Sequence, residues 1–158
     1  MSLIYLIPLL PFIGFVVNGL SFPNISKQVA AIIGTIPPLV AFILSIQLFI
    51  NFDGVTQILH LADWIKLGDL QIPFDLQIDA LSIIMLLVIT GVGTLIHIYS
   101  IGYMSHDQGF GKFFAFLNLF IFFMLILVLG ANFTVLFIGW EGVGLCSYLL
   151  IGFWNQKK

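Results

Sequence analysis

With 158 residues, 61% of them hydrophobic and only 8% charged, and a mean hydropathy of +1.18, this chain lies far from soluble domains, where about a quarter of residues carry charge. The formal net charge of -2 and the absence of arginine exclude the clustered basic surface that binds nucleic acid. The one cysteine, Cys146, has no partner in the chain for a disulfide or a thiolate metal site, and is expected to pack as a small apolar residue.

A helix of about 20 apolar residues, within a range of roughly 17 to 25, crosses a bilayer. Residues 3–20, 29–50, 80–103, 113–129 and 133–154 qualify, so the predicted fold is all-α and integral to the membrane, with five transmembrane helices. The first stretch lacks a basic n-region and is followed by no small-residue cleavage pattern, so a retained helix is expected rather than a removable signal. Pro8 and Pro11 fall in the first helix and Pro37 and Pro38 in the second. Each removes a backbone donor and crowds the preceding turn, so kinks are expected.

In the loop over 51–79, Leu70, Ile72, Phe74, Leu76 and Ile78 alternate with polar residues and Pro73. A period of two predicts a strand with one covered face, and Pro73 keeps it at an edge. Residues 64–67, across Gly68 and Asp69, complete a predicted β-hairpin on the membrane surface. Asp79 stands where a helix N-cap is needed. Further on, Gly130 and Asn132 divide the apolar run between 113 and 154, because glycine permits the turn and asparagine caps the fifth helix. Residues 1–79 thus hold two helices and the hairpin loop, and 80–158 three more helices.

Lysines in short loops favour the cytoplasm. Lys27, Lys112, Lys157 and Lys158 all fall on one side of a five-span chain, whereas the 51–79 loop carries Asp53, Asp63, Asp69, Asp75 and Asp79 against Lys66 alone. The N-terminus and hairpin are expected outside, the C-terminus in the cytoplasm.

Glu141 is the carboxylate inside the fifth span. It follows Asn132 by nine residues (141 minus 132), which places it roughly 13 to 14 Å deep. A charge there costs roughly 2.5 to 3.5 kcal/mol even on the gentlest scale, and such groups mark ion or proton paths. Phe137, Gly144, Leu145 and Tyr148 share its face, and Gly139, Gly142 and Gly144 are expected to let a helix or water approach it. The two readings are a proton-handling carboxylate and a neutral structural acid. In the third span Thr90, Thr94 and His97 recur at i, i+4 and i+7 beside Gly93. His97 is either a proton relay or a side chain holding a neighbouring helix's carbonyl. His60 and His106 fall in loops without ligand spacing, and no metal site is expected. No phosphate loop or nucleophile–base pair is present, and no ligands for a redox cofactor stand out.

Residues 78–104, IDALSIIMLLVITGVGTLIHIYSIGYM, and 113–154, FFAFLNLFIFFMLILVLGANFTVLFIGWEGVGLCSYLLIGFW, closely resemble the N-terminal region of the subunit L family of bacterial NADH:quinone oxidoreductase, respiratory complex I. That antiporter-like family is similar to membrane subunits of multisubunit sodium/proton antiporters, whose equivalent stretch usually lacks the GWEGVG form. The resemblance implies a proton-translocating subunit in the bacterial inner membrane, bound to other membrane subunits of complex I and to the lipid bilayer. It implies no cofactor and no redox chemistry in this chain. Glu141 then matches the family's membrane glutamate on the fifth helix. Its partner lysine is expected on a later, broken helix, in sequence beyond Lys158, and 80–158 opens the antiporter-like domain. A structural membrane scaffold is the reading from another class.

Overall fold

Inside a bilayer every backbone polar group needs an internal partner, and long apolar runs meet that need as helices. The computed structural model of the protein describes residues 4–22, 24–67 and 70–154, and runs α1 (Leu6–Ser21), α2 (Lys27–Ile50), β1 (Gln57–Leu67), β2 (Leu70–Ile78), α3 (Ala80–Tyr103), α4 (Phe110–Leu129) and α5 (Phe133–Ile151), closed by a 3-10 turn over Gly152–Trp154. Among the described residues four helices are long and apolar enough to cross a membrane: α2, α3, α4, and α5 with its 3-10 turn. α1 is apolar but has 16 residues, about 24 Å of rise. It opens at Leu6; Leu3, where the apolar run begins, lies outside the described residues.

α2 begins at Lys27, two residues before its apolar run, because the Ser26 hydroxyl caps it by accepting from the Val29 amide. α4 begins at Phe110, whose ring stacks on Phe114 inside the bundle. α4 packs against α1, α2, α3 and α5, while α5 packs along α4 and touches β2 at its start. Lipid is as apolar as leucine, so close contact and buried polar groups join the helices rather than hydrophobicity. Gly34 of α2 takes the Phe114 ring, Gly91 of α3 takes Phe42, and Gly14 of α1 takes the Asn118 amide and Pro37.

The prolines of α2 have a specific answer in α4. Pro38 has no amide hydrogen to give the carbonyl four residues back, which is that of Gly34. Asn118 Nδ2 donates to that carbonyl at 2.9 Å, and to Phe114 O at 3.0 Å. Asn118 therefore repairs the defect from a neighbouring helix.

The hairpin pairs antiparallel from Gln57 with Ile78 to Leu67 with Leu70; its turn, Gly68 and Asp69, lies outside the described residues. β1 extends seven residues before the predicted 64–67 (64 minus 57). Register shifts between His60 and Ala62 and between Asp63 and Ile65 break the alternation that sequence reading needs. Pro73 pairs within a two-stranded sheet, where every strand is an edge. Leu59, Leu76 and Ile78 are buried in one cluster with Ile7, Ile83, Leu125, Leu129 and Val135, so the hairpin closes one end of the helix bundle.

That end also holds the α4–α5 turn. Leu76 bridges Gly130, the Ala131 amide donates to Asp75 O at 3.0 Å, and Asn132 Nδ2 donates to Pro73 O at 2.7 Å. At the opposite end Lys27 Nζ donates to Ser105 O at 2.8 Å, Phe153 packs on Phe113, and the Trp154 indole donates to the Asp107 carboxylate at 2.9 Å. The α1–α2 connection, the α3–α4 loop and the end of α5 therefore share one end of the bundle. Lys27 and Lys112 lie there, while Lys66 and the described aspartates of the 51–79 loop lie at the hairpin end; Lys157, Lys158 and Asp69 are outside the described residues.

Candidate functional site

α5 starts as its sequence demands. The Asn132 carbonyl oxygen accepts from the Thr134 and Val135 amides, which satisfies two of the orphan donors of the first turn. Nine residues on, Glu141 emerges near the middle of the helix, on the side away from α4, and is exposed. Among the described residues no hydrogen bond or ion pair engages it. Phe137, Trp140, Leu145 and Tyr148 beside it are each more than half exposed, and a Cβ at Gly144 would meet nothing within 4 Å. The side chains grouped with Glu141 by helical spacing do share one face, and that face is uncovered.

The three glycines divide differently from expectation. A Cβ on Gly139 would lie 2.5 Å from the backbone of Leu127, and one on Gly142 would strike the Phe123 ring. Both belong to the α4 contact, because steps of two or one residue from Glu141 turn a helix face well away from it. Gly144 alone thins the Glu141 face. Cys146 is buried with a free thiol, packing as the small apolar residue expected.

His97 lies inside the bundle, 1% exposed. Its Nδ1 is 2.8 Å from Gly93 O on its own helix, and its ring meets Phe114 edge-on. The expected contact with a neighbouring helix's carbonyl is thus an intrahelical one, since the i-4 carbonyl lies directly under the ring. Nε2 is buried with no hydrogen-bond partner among the described residues. Thr90 and Thr94 form the predicted stripe with it, but each hydroxyl donates to its own helix, to Leu86 O and Thr90 O. Among the described residues no hydrogen bond or ion pair joins His97 to Glu141, although α3 and α5 approach each other over α4 at a groove that His97 and Leu150 both line.

His60 lies on β1 rather than in a loop, with Nδ1 2.7 Å from Asp75 and Nε2 3.4 Å from Asp63, which also takes Lys66 Nζ at 2.6 Å. The Lys66 hydrogen bond holds the Asp63 carboxyl below its ordinary range. His106 is exposed at the other end. Asp79 caps α3 as predicted: its carboxylate accepts from the Ser82 amide at 2.8 Å, and the Ser82 hydroxyl returns the contact to the Asp79 amide. Sequence reading passed over Asn18 and Asn118, both fully buried. A lone amide within an apolar span was the available signal.

Residues 64–114 match the family described as NADH-Ubiquinone oxidoreductase (complex I), chain 5 N-terminus. The chain is 44% identical over 159 aligned positions to NADH-quinone oxidoreductase subunit L of Rickettsia typhi, covering 99% of this chain and 24% of that protein. Against subunit L of Escherichia coli it is 44% identical over 98% of this chain and 26% of that protein. It spans about a quarter of the length of these curated relatives. Among solved structures, a chain in the structure of the Mrp complex from a Dietzia species superposes with a TM-score of 0.69 at 25% identity, covering 92% of this chain and 16% of that one.

Proposed function

Because this chain belongs, as an N-terminal portion, to the subunit L family of NADH-quinone oxidoreductases, we propose that it forms the first part of a proton-translocating membrane subunit of respiratory complex I. Glu141 is the residue that takes up and releases the proton. The observation that carries this reading is the placement of a mid-helix carboxylate on the uncovered face of α5. A carboxylate facing lipid is expensive, so the face calls for further protein or water against it. Relatives about four times as long have chain to supply that cover, and the resemblance puts a lysine there, on a later helix. Attraction to a cation favours the ionised acid, and burial without one favours the neutral form. Moving the two apart and together therefore moves a proton.

In this reading α1 is a fifth crossing, supported by Ile7 in the hairpin-end cluster and Phe22 against Gly111 at the other end. The hairpin faces the periplasm and the lysine-bearing loops face the cytoplasm of a bacterial inner membrane. Residues 80–158 open the antiporter-like domain, and other membrane subunits are its partners. The electron chemistry belongs elsewhere in the complex.

Glu141→Gln in the assembled complex tests this, since the amide keeps volume and hydrogen bonding but does not ionise. Complex content should be unchanged and protons pumped per NADH oxidised should fall sharply. Wild-type pumping would make Glu141 a structural acid. A subunit of a multisubunit sodium/proton antiporter is the second reading; the GWEGVG form at 139–144 and the higher identity to subunit L favour the first.

A further inference from the structure

Where α3 and α5 approach each other over α4 they leave a groove of about 260 Å³, lined by Val92, Ile96, Leu117, Phe120, Met124 and Leu150. On α3 its wall continues from Val92 and Ile96 to Tyr99 and Tyr103, spaced four, three and four residues apart along one stripe. On the other side Trp154 follows Leu150 by one turn. Tyr99 stacks on Tyr103 with ring centroids 5.9 Å apart, and the Tyr103 ring lies 6.0 Å from that of Trp154. Three aromatic rings thus rim the groove at its Lys27 end. Tyrosine and tryptophan gather at the headgroup level of a bilayer, where an apolar ring and a polar atom are both accommodated.

The groove has the depth of one leaflet. Val88 and His97 both line it, nine residues apart (97 minus 88), which is about 14 Å of helix against about 15 Å for half of a hydrocarbon core. It therefore runs from just below the aromatic rim toward the middle of α3. A helix about 10 to 12 Å across does not pass between the Tyr103 and Trp154 rings, which narrow that end. A helix laid over Glu141 does not fill the groove either. Leu150 is nine residues from Glu141 (150 minus 141), two and a half turns, and so on the opposite side of α5. Left empty, the lining would forfeit its dispersion contacts on one side. A flexible hydrocarbon chain matches the depth, the narrow end and the apolar lining.

We propose that one acyl chain of a phospholipid, from the leaflet at the Lys27 end, is seated in this groove with its terminus near Val88 and its glycerol end beside Tyr99, Tyr103 and Trp154. Bulk lipid is as apolar as the groove, so contact with three helices, not hydrophobicity, retains the chain. It exchanges more slowly than lipid on open helix faces. The seated chain also covers the flank of His97 that faces the groove. The inference stands whether or not Glu141 handles protons.

Photolabelling of the assembled complex tests it, in lipid nanodiscs that contain a phospholipid with a diazirine midway along one acyl chain. Irradiation and peptide mapping should find adducts on Leu117 and Phe120. If unlabelled phospholipid vesicles are added first, those adducts should persist several-fold longer into the chase than adducts elsewhere on the membrane-facing helices of the complex. Val92→Phe puts a ring into the groove from a half-exposed position, and should reduce the groove adducts several-fold while leaving the others unchanged. Ile96→Phe does the same from the next turn, should Val92→Phe lower complex content. Absence of groove adducts in the wild type means that protein covers the groove, and overturns the proposal. Loss on the same time course as elsewhere, or adducts unchanged in an assembled groove-filling variant, overturns it too, because the groove then holds only passing lipid. None of these readouts depends on proton pumping.

Discussion

Glu141 and Asp79 are carboxylates sixty-two residues apart (141 minus 79) with opposite relations to their surroundings. Asp79 is satisfied locally. The Ser82 amide, first, and then the Gln77 side chain hold its carboxyl below the ordinary range. A lowered folded pKa means that the ionised cap stabilises fully above the ordinary carboxylate value of about 3.9 and loses that contribution as pH falls through the lowered value. Asp79→Ala should cost about 0.5 to 2 kcal/mol. Amide exchange at Leu81 and Ser82 should speed up in that variant at neutral pH, and in the wild type only at strongly acid pH. Asp79→Asn, which keeps an acceptor without a charge, should remove the acid dependence. Glu141 has no such local partner among the described residues, so its variants should separate by chemistry. Glu141→Asp should pump better than Glu141→Gln at equal complex content, because it keeps an ionisable group on a shorter reach.

At the scale of elements, α5 has one face built for α4 and one left open. Gly139 sits against the backbone of Leu127, which has no side-chain rotation to offer, whereas Gly144 faces open space. Gly139→Ala should therefore overpack the α4–α5 pair and destabilise it by roughly 1 to 3 kcal/mol, seen as less assembled complex and a lower temperature of subunit release. Gly144→Ala should leave the α4–α5 pair intact. If both variants assemble like wild type, Gly139 is not what sets the approach of α4 and α5. The start of α5 is tied to the hairpin as well: one amide, Asn132, caps the helix and holds Pro73 O. The hairpin and the helix that carries Glu141 are thereby joined through one side chain.

The whole molecule is a bundle with two unlike ends. The hairpin and α4–α5 turn make one, and Lys27, Ser105 and Trp154 meet at the other. Thr56 and Gln108 are exposed at opposite ends. Single cysteines there, in a background with Cys146 replaced by alanine, should label from opposite sides of the membrane with an impermeant thiol reagent, Thr56→Cys from the periplasm. Labelling of both from one side would remove α1 or another helix from the count of crossings.

The sequence by itself determined the helices α2 to α5, since a run of about 20 apolar residues has few other stable forms in a bilayer. It also determined the caps at Asp79 and Asn132, which depend on neighbours within three residues, and the burial of Cys146. It placed Glu141 at mid-helix and grouped its face correctly. Tertiary structure decided which way each face turns. Lipid and protein core are equally apolar, so although Thr134, Glu141 and Tyr148 recur on one face of α5, polarity alone does not say whether that face meets α4 or turns away from it. Helical spacing puts Gly139 and Gly142 off the Glu141 face and Gly144 on it; that the face of Gly139 and Gly142 meets α4 was decided by packing. The match of Asn118 to the carbonyl freed by Pro38, eighty residues away (118 minus 38), and the first half of β1, whose bulges erase the period of two, likewise needed the packed chain. Local chemistry was written in the sequence; the choice of neighbours was made only when the helices met.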